Sequence, residues 1–562
     1  MKKPIKMSEK ICVICENTTS TFEVAMGTSL QEIAAALPTP AYPYLAATVN
    51  NRIKELHYRV YTPVTVRFVD VTSFQGIRVL QRTAWFVLQE AVKSCFPNHP
   101  LHIRHSLGQS GFYCEIEGLG QLSEEQAQQI TAQMEAIVAE DRPITRLKLP
   151  TEEVRRRYAA YGFTDKIELL DSRPRLYSTM QTMGEAIGYF YGALAPSSGA
   201  LTRFSITPCY NGFYLALPLR TEPERLAANP EQEKMADVFR EYQSWVQMMG
   251  VPTVGAINRR TLAGDAGAMI KVAEAFHERK FARIADAIYA ANRERGLRTV
   301  LISGPSSSGK TTSSKRLAVQ LGVLGLRPVL IALDDYFVDR EKTPLDANGE
   351  YDYEALEAID LALFNDHLQR LMRGEAVEIP RYDFITGRRQ WHEEPLQLDE
   401  RSILIIEGIH GLNPRLTPSI SDDQKFRIYI SCFTSVAMDN LSRIATTDNR
   451  LLRRMIRDCR MRGNSAVDTL QRWASVRRGE EKHIFPYQEE ADVMLNSSLF
   501  YEISVLRPFA EPLLREVPNT IPEYDEARRL LQFLDNFVPI APDEIAPTSI
   551  LREFIGGSTF NY

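Results

Sequence analysis

The sequence predicts a multidomain α/β protein whose second half forms a doubly wound, mostly parallel sheet. Three observations support this fold class. At 562 residues the chain is too long for one hydrophobic core. Near its start, short β-rich runs alternate with a single helical segment. In the second half, an apolar strand, a glycine-rich loop, an amphipathic helix and another apolar strand follow one another, which is the order of a βαβ unit.

Composition and charge are those of an ordinary soluble protein. Hydrophobic residues make up 44% of the chain and charged residues 24%, and the formal net charge is -5. Nothing in this balance requires a nucleic-acid or membrane partner, so any basic site must be local. The first residues lack an apolar segment of signal-peptide length, and no later stretch is long and apolar enough for a membrane span. We therefore expect a cytoplasmic protein with no membrane partner.

Residues 9–69 are predicted to form a small β-grasp module. Four β-rich runs and one helical run support this prediction, at 11–14, 21–24, 46–49, 64–69 and 30–37 respectively. Cys12 and Cys15 form the only C-x-x-C, but in a strand they point to opposite faces, which is poor geometry for one metal. The total of seven cysteines is odd, which argues against a disulfide framework.

The front part of the chain resembles threonyl-tRNA synthetase. QRTAWFVLQEAVKSCFPNHP and GQSGFYCEIE are similar to the start of that enzyme's editing domain, and the β-grasp module is similar to the one at its N-terminus. The resemblance covers residues 1–215. The family's two helical histidines and its later cysteine and histidine are replaced here, by Arg82, Phe86, Phe190 and Leu194. Phe and Leu neither ligate a metal nor move a proton, which argues against deacylation.

Two roles remain open for this front part. It is either a structural partner for the second half, or a module that binds RNA, tRNA in particular, or an aminoacyl ligand. Residues 218–235 are polar and contain proline, so they are predicted to form a connector. Residues 236–295 carry helical apolar spacing and are predicted to dock the two halves together.

A phosphate-binding loop follows the apolar strand at 299–303. Residues 304–311 fit G-x-x-x-x-G-K-[ST], a loop whose backbone N–H groups form an anion site at the start of a helix. Lys310 is predicted to reach the outer phosphates, and the Thr311 hydroxyl to ligate Mg²⁺. The helix is predicted over 312–324, with Leu317, Val319, Leu321 and Leu324 on its apolar face. The predicted nucleotide-binding residues are Gly304, Pro305, Ser306, Ser307, Ser308, Gly309, Lys310, Thr311 and Thr312.

Carboxylates follow two further apolar strands. Asp334 and Asp335 come after the strand at 328–333, and Glu407 follows the strand at 403–406. In an open α/β sheet ligands lie beyond the carboxyl ends of the strands, so these side chains are predicted to share one crevice with the loop. One carboxylate there would take the proton from an attacking hydroxyl, and another would hold Mg²⁺ or its waters.

Seven arginines lie close together in the sequence, at Arg443, Arg450, Arg453, Arg454, Arg457, Arg460 and Arg462. Spacings of three and four residues place four of these arginines on neighbouring parts of one helical face, where their charges repel unless an anion is present. The four are Arg450, Arg453, Arg454 and Arg457. The run is either a solvated basic face or a lid that closes onto the transferring phosphoryl group, and the nearby phosphate loop favours the lid.

The second half resembles the uridine kinase branch of the phosphoribulokinase/uridine kinase family. The motifs that carry the resemblance are, in order, GPSSSGKTTSSKRL, LDDYF, GEYDYEALEAID, IPRYDFITGRR, IIEGIHGL and RRMIRDCRMRG. The match covers residues 285–510. The whole chain resembles the long bacterial nucleoside kinases that join a threonyl-tRNA synthetase-like front half to this core. The predicted domains are therefore 1–70 (TGS-like β-grasp), 71–235 (editing-like α+β), 236–284 (helical connector), 285–510 (P-loop kinase) and 511–562 (helical tail).

The resemblance implies an ATP-dependent nucleoside kinase with Mg²⁺ as cofactor, acting on uridine or cytidine. It implies Asp334 as general base for the 5′-hydroxyl, Asp352 as ribose ligand and Tyr382 as nucleoside contact. Thr311 and Glu407 would hold Mg²⁺. The lid residues would be Arg454, Arg457 and Arg462, with Arg454 also reaching the substrate.

Two departures bear on the base. The family's base-reading histidine and glutamine are replaced by Gly387 and Arg472, while Arg388, Arg389 and His392 lie near enough in sequence to supply a contact. The preferred base is therefore open. Two other functions also remain open: a kinase of another small hydroxyl compound such as pantothenate or a sugar phosphate, and a tRNA-associated regulatory NTPase. The sequence does not decide between ATP and GTP as donor, or between a monomer and a homo-oligomer.

Overall fold

A mixed five-stranded sheet begins the chain. A computed structural model describes residues 10–346, 349–384, 386–392 and 394–562, so residues 1–9 of the predicted β-grasp module and Ile385 of the motif IPRYDFITGRR lie outside the described part. The sheet has the order β2-β1-β5-β3-β4, with β1 parallel to β5 and the other pairs antiparallel. The four predicted strands and the helix are confirmed, as β1 (Lys10–Cys15), β2 (Ser20–Ala25), α1 (Leu30–Ala35), β3 (Ala46–Val49) and β5 (Val64–Val69), and the structure adds the short strand β4 (Ile53–Lys54).

Burial alternates along β1, as the strand prediction requires. Cys12 is exposed and Cys15 is buried, so the two thiols lie on opposite faces of the sheet. All seven cysteines are free, and the described residues contain no group of three or more His, Cys, Asp or Glu that could hold a metal ion.

Two antiparallel sheets and four helices form the next region. Their orders are β11-β12-β7-β6 and β10-β9-β8. The long helix of this region is apolar on most of its surface and is buried among both sheets. The elements are α2 (Phe74–Cys95), β6 (Leu101–Ser106), β7 (Gly111–Ile116), α3 (Glu124–Ala139), β8 (Ile144–Pro150), α4 (Thr151–Tyr161), α5 (Thr164–Asp171), β9 (Tyr177–Met183), β10 (Ala186–Gly188), β11 (Ser205–Cys209) and β12 (Gly212–Ala216).

Three helices connect the halves, as the sequence predicts: α6 (Glu233–Met248), α7 (Val254–Leu262) and α8 (Ala266–Arg295). The predicted domain boundary at 284/285 falls inside α8, which continues without a break to its cap at Gly296. Its buried side chains, among them Phe281 and Ile288, pack into the core of the following sheet. The connector helices and the second half therefore share one hydrophobic core.

The second half contains a five-stranded parallel sheet of order β14-β17-β13-β18-β19. Side chains on one sheet face pack against α8, α9, α11 and α13, and those on the other pack against α10, so the sheet is covered by helices on both faces as predicted. The elements are β13 (Thr299–Ser303), α9 (Lys310–Val323), β14 (Arg327–Ala332), α10 (Leu361–Met372), β15 (Pro380–Asp383), β16 (Arg388–Trp391), β17 (Ser402–Glu407), β18 (Lys425–Ser431), α11 (Thr446–Met461), α12 (Ala466–His483), β19 (Val493–Asn496) and α13 (Glu502–Arg515).

Two predictions about this region are wrong in detail. Val319 does not belong to the apolar face of α9, because its side chain is 55% exposed while Leu317 and Leu321 are buried. The tail is less helical than predicted, since beyond α13 the described residues form only α14 (Tyr524–Leu534) and α15 (Arg552–Ile555). Its irregular segments are nevertheless buried at Ile540, Ile545 and Ile550. No helix in the described ranges could cross a membrane.

The front region and the second half are joined by buried polar contacts. Lys166 forms an ion pair of 2.9 Å with Asp439, and both side chains are almost fully buried. Arg78 pairs with Glu526 of the tail at 2.7 Å. Because breaking a buried pair leaves an uncompensated charge, the Lys166–Asp439 pair holds the two regions in one arrangement, and the less buried Arg78–Glu526 pair adds a second contact.

Candidate active site

The glycine-rich loop joins β13 to α9, as the sequence predicts. Gly304 has φ 155°, and a Cβ at this position would lie 2.0 Å from the carbonyl oxygen of Ile430. Gly309 has φ 85° and is the residue before α9. Glycine is required at both positions, because a side chain would be strained or would collide with β18. Residues 304–312 therefore place backbone N–H groups at the N-terminus of a 14-residue helix, where anions bind favourably.

Lys310, Thr311 and Glu407 meet at the carboxyl ends of β13 and β17. The Thr311 hydroxyl donates a hydrogen bond of 2.8 Å to Glu407 Oε1. Lys310 Nζ folds back and donates to the carbonyl oxygens of Gly304 and Pro305, at 2.9 and 3.2 Å. The predicted metal-binding pair and the predicted phosphate lysine are thus brought together.

The charges of this cluster influence one another. Burial raises the pKa of Glu407 to about 7, with the charge of Lys310 opposing the rise and that of Asp334 adding to it. Burial likewise lowers the pKa of Lys310, against the charges of Glu407 and Asp334. A buried carboxylate with so high a pKa lacks sufficient positive charge nearby, which is the environment that a bound cation would satisfy.

Asp334 and Asp335 lie in the turn after β14, and the structure separates their roles. Asp335 Oδ1 accepts a hydrogen bond of 3.2 Å from the backbone N–H of Tyr382, so this carboxylate holds the hairpin of β15 and β16 against the turn. Burial raises the pKa of Asp335. The charge of Asp334 acts on Lys310, Glu407 and Arg462. Of the two carboxylates, Asp334 is the one that belongs to the cluster.

Asp352 is linked to the cluster of Lys310 and Glu407 through Glu354, a residue that no sequence pattern singled out. Its Oδ1 accepts a hydrogen bond of 3.1 Å from the backbone N–H of Glu354. The Glu354 carboxyl is buried with one oxygen unpartnered, and burial raises its pKa against the charges of Arg454 and Lys310. Glu354 lies two residues after Asp352 in the motif GEYDYEALEAID, but the motif alone does not show that its side chain turns inward.

Tyr382 lies in an aromatic cluster near the C-terminal end of α11, the helix that carries the arginines. Its ring is buried against the rings of Phe337 and Phe384, with centroids 5.6 and 5.2 Å away. The guanidinium of Arg462 lies 5.0 Å from the centroid of Phe384. Tyr382 is therefore connected to the arginine helix through one aromatic side chain.

The candidate replacements for the base-reading residues differ in their surroundings. Arg389 is not available for a substrate, because it donates to Asp360 Oδ2 at 3.1 Å and to the carbonyl oxygens of Tyr336 and Phe337. Arg388 and His392 are exposed, as is Arg472 on α12. Of the candidate residues for a base contact, Arg389 is therefore engaged within the protein, whereas Arg388 and His392 are exposed.

Three of the seven arginines surround one carboxylate. Asp458, whose side chain is 2% exposed, lies 2.8 Å from Arg457, 3.3 Å from Arg454 and 3.8 Å from Arg462. Burial opposes ionisation of Asp458, but the charges of these arginines outweigh burial and keep the pKa of Asp458 below its usual value. The sequence argument that these arginines require an anion holds, and Asp458 supplies part of it. The three arginines carry three positive charges against the one negative charge of Asp458, which leaves a surplus of two positive charges.

The other four arginines of the run do not belong to a lid. Arg450 and Arg453 are fully buried and pair with Glu480 and Glu502, so the prediction that they line a solvated or substrate-facing surface is wrong. Both also donate to the phosphate loop, Arg450 to the carbonyl oxygen of Ser306 at 2.9 Å and Arg453 to that of Ser307.

Arg460 and Arg443 face elsewhere. Arg460 donates to the carbonyl oxygen of Phe554 at 3.0 Å, and Arg443 lies over the ring of Phe112 in the front region. Arg454, by contrast, donates from Nη1 to the hydroxyl of Ser306 at 2.8 Å and so links the lid helix to the phosphate loop.

The arrangement can hold and transfer an anionic group. A helix N-terminus, one lysine and the surplus arginine charge meet at the loop, and the charges of Asp334, Glu354 and Glu407 act on Lys310 there. Positioning and charge stabilisation are what phosphoryl transfer requires of a protein. The site therefore has the parts of a phosphotransferase: an anion cradle, an oxygen pair for a divalent cation and a free carboxylate.

Comparisons with known proteins agree with this chemistry. Residues 299–503 match the phosphoribulokinase/uridine kinase family. Uridine kinase from Staphylococcus aureus (strain JH9) is 29% identical over 195 residues, which cover 34% of this chain and 84% of that protein, and the same figures hold for strain Newman. Among solved structures, a possible uridine kinase from Bacillus stearothermophilus aligns with a TM-score of 0.28 at 19% identity, covering 39% of this chain and 98% of that one. D-glycerate 3-kinase from Cryptococcus neoformans aligns with a TM-score of 0.22 at 12% identity, covering 47% and 89% respectively.

The region at 299–503 is thus a P-loop kinase of the phosphoribulokinase/uridine kinase family, and the protein is a phosphotransferase. The comparison covers about a third of the chain.

Proposed function

We propose that the protein is an ATP-dependent nucleoside kinase that transfers the γ-phosphoryl group to the 5′-hydroxyl of a ribonucleoside, with uridine and cytidine as the first candidates. One observation carries the proposal: the Thr311 hydroxyl bonded to Glu407 at 2.8 Å, beside Lys310 and within the field of Asp334. The relatives named uridine kinase, which match the region that holds this cluster, support the nucleoside as acceptor.

The donor is bound by the loop. The N–H groups at the start of α9 and the ammonium of Lys310 bind the phosphates, and the bonds of Lys310 to the loop carbonyls exchange for bonds to phosphate oxygens. Arg450 and Arg453 hold the loop backbone in place from the other side. Arg454, Arg457 and Arg462 stabilise negative charge on the group in transit.

Mg²⁺ fits the residues present. Hydroxyl and carboxylate oxygens are its preferred protein ligands, and Thr311 and Glu407 present such oxygens in contact with each other. The raised pKa of Glu407 is the signature of a buried carboxylate lacking a counter-charge. When bound at Thr311 and Glu407, Mg²⁺ would supply positive charge that offsets part of the negative charge of the phosphates.

The acceptor is bound between the turn after β14 and the lid. Asp334 orients the 5′-hydroxyl and takes its proton, since its carboxylate is the one at this strand end that no hairpin contact occupies. Asp352 holds the ribose hydroxyls, and Tyr382 forms an apolar wall for the nucleoside. Arg388, His392 and Arg472 are the exposed polar residues that could read the base.

For the front half we propose a structural role. The sheet order β2-β1-β5-β3-β4 around α1 supports a TGS-like β-grasp domain at 1–70, and the two antiparallel sheets support an editing-like α+β domain at 71–235. Phe86, Phe190 and Leu194 are buried in one apolar core, which supports the loss of deacylation chemistry. In this proposal the protein acts in the cytoplasm, in pyrimidine salvage, and tRNA is not a partner.

Steady-state kinetics with the four ribonucleosides, pantothenate and a sugar phosphate would test the proposal, with ADP release from ATP as the measured quantity. We expect at least one pyrimidine ribonucleoside to raise ADP release well above the rate without acceptor, and the product to carry a 5′-phosphate. Phosphorylation of pantothenate or the sugar phosphate, with no nucleoside phosphorylated, would contradict the proposal. ATP hydrolysis that no acceptor changes would instead favour a regulatory NTPase.

A further inference from the structure

The C-terminal segment 549–562 packs against the phosphate loop and the first turns of α9. Ile550 reaches Gly309 so closely that a Cβ on that glycine would lie 2.8 Å from Ile550 Cγ2. Phe554 lies under the guanidinium of Arg453, which itself donates to the loop. Both Ile550 and Phe554 are fully buried. The segment is therefore a permanent wall of the loop, although it lies about 240 residues further along the chain.

This segment also brings an anion to the anion-binding helix end. The Thr312 backbone N–H and hydroxyl donate to Glu553 Oε2, at 3.3 and 2.5 Å. Glu553 is 5% exposed, and its charge acts on both Lys310 and Glu407. The negative charge of Glu553 therefore lies where the helix N-terminus and Lys310 are expected to attract phosphates.

Further contacts hold this carboxylate in place. The Thr312 hydroxyl gives its proton to Glu553 and accepts a hydrogen bond of 2.9 Å from the hydroxyl of Tyr562. Lys315 Nζ bonds to the carbonyl oxygen of Asn561 and lies 4.6 Å from the centroid of the Tyr562 ring. The end of the chain is thus fastened to the side of α9 that begins at the loop. Inside the loop the hydroxyl of Ser308 is buried without a partner among the described residues.

We propose that Glu553 is a determinant of donor binding, because its carboxylate holds the Thr312 amide that takes an inner phosphate of a bound nucleotide. Loop N–H groups cradle the α- and β-phosphates, while the lysine reaches the β- and γ-phosphates. Of the N–H groups in the loop, that of Thr312 lies furthest into α9, so it belongs to the end of the cradle that binds the inner phosphates. A nucleotide therefore has to displace Glu553 from Thr312, whereas a ligand bound only at Lys310 does not. The inference rests on the proposed function, since it assumes that the loop binds a nucleotide.

Isothermal titration calorimetry of the full chain with ADP and with inorganic pyrophosphate tests this inference. Glu553→Gln keeps the size of the side chain and one acceptor oxygen but removes the charge. We expect it to tighten ADP binding about tenfold, since a charge-assisted bond is exchanged for a neutral one. Pyrophosphate needs only the outer subsite, so its gain should be at least about fivefold smaller. Glu544→Gln is the matched control, because Glu544 lies in the same tail but pairs with Lys271.

Tyr562→Phe provides a second variant if Glu553→Gln fails to fold. It removes the hydroxyl that fastens the Thr312–Glu553 pair and leaves the buried part of the segment intact. We expect it to tighten ADP binding about two- to threefold with little change for pyrophosphate.

Two results would overturn the inference while leaving the proposed function intact: unchanged or weaker ADP binding in the folded variants, or equal gains for ADP and pyrophosphate. Failure of folded wild-type protein to bind ADP or ATP while it binds pyrophosphate would instead refute a nucleotide donor, and with it the proposed function.

Discussion

The phosphate-loop cluster and the core of the front domain differ in whether they bury charged or apolar side chains. In the cluster, Lys310, Glu407 and Glu354 are held in a buried setting with shifted pKa values and incomplete pairing. In the front domain, the rings of Phe86 and Phe190 contact each other at a tilt, with centroids 5.5 Å apart, and both are buried with Leu194. These apolar residues stand where the resemblance to threonyl-tRNA synthetase implies catalytic side chains.

The contrast separates a cluster of buried charged groups from a largely apolar core. Burying charged groups without full pairing costs stability, which makes such a cluster a candidate for a site where a ligand or a reaction uses the charges. The front domain has no such cost at these positions, because Arg82 alone is polar there and donates to the carbonyl oxygen of Ala193 at 2.9 Å. We therefore expect mutations in the cluster to change rates and mutations in the front core to change stability.

Asp334→Asn should have the largest effect in this comparison. The amide keeps the size of the side chain but cannot take a proton, so we expect kcat to fall about 10³-fold. ATP affinity should stay within about twofold, because the phosphates bind to the loop. Steady-state kinetics and calorimetric ATP binding give both quantities. Asp335→Asn is the neighbouring control, and normal turnover in Asp334→Asn would remove this carboxylate from the mechanism.

Two adjacent arginines of α11 separate rate from stability within the kinase region itself. Arg453→Met leaves Glu502 buried without its partner, and we expect a loss of about 3–5 kcal/mol in the free energy of unfolding. Arg454→Met should leave Tm nearly unchanged but lower kcat about 10²-fold, since it removes charge above the loop. Thermal unfolding and kinetics on both variants check this assignment. The reverse pattern would show that the roles of the two arginines are exchanged.

Phe86→Ala tests the front domain. Removing a fully buried ring that packs on Phe190 should cost about 3 kcal/mol, near the lower end for such changes because Phe190 can move into the space. The folded fraction should keep wild-type kcat and KM. Phe74→Ala, at a residue that is 48% exposed, is the control with an expected cost below about 1 kcal/mol. A kcat that falls with Phe86→Ala in folded protein would couple the front core to catalysis.

His105→Phe should have the smallest effect at neutral pH. His105 stacks on Phe239 at 4.0 Å, and burial, with Arg443 and Arg104 nearby, lowers its pKa to about 3. The unfolded chain takes up a proton below about pH 6.5 and the folded chain does not, so this histidine makes stability fall as pH decreases from about 6.5 towards 3. We expect His105→Phe to remove about 1.4 kcal/mol of that loss at pH 5.5. Urea unfolding at pH 7 and 5.5, with exposed His57→Phe as control, measures the difference. An identical pH slope in wild type and variant would contradict this account.

Local patterns explain which parts of the site were predictable. The strands, the loop and the carboxylates at the two strand ends each follow from an apolar run and the few residues after it. Thr311 and Glu407 are 96 residues apart, yet their meeting was predictable because parallel strands present their carboxyl ends at one edge.

The parts that sequence reasoning missed depend on packing between distant segments. Arg450 and Arg454 lie four residues apart and show the same spacing pattern in the sequence. Only the structure shows that Arg450 is buried in an ion pair with Glu480, whereas Arg454 donates to the Ser306 hydroxyl of the loop. Glu354 and Glu553 are single carboxylates that no sequence pattern marks. A turn brings Glu354 near Lys310, and the tail, folded back onto α9, brings Glu553 to Thr312. The domain boundary predicted at 284/285 falls inside α8, which continues to its cap at Gly296.

A double-mutant cycle on Thr311 and Glu407 tests the central claim most directly. Thr311→Val and Glu407→Gln each remove one oxygen ligand, and we expect each to lower kcat/KM about 10²-fold in Mg²⁺-dependent nucleoside phosphorylation. If both residues hold the same metal ion with the phosphates, the double variant should be little worse than either single variant. Additive losses of about 10⁴-fold in folded protein would contradict a shared metal-phosphate pocket, and with it the proposed mechanism.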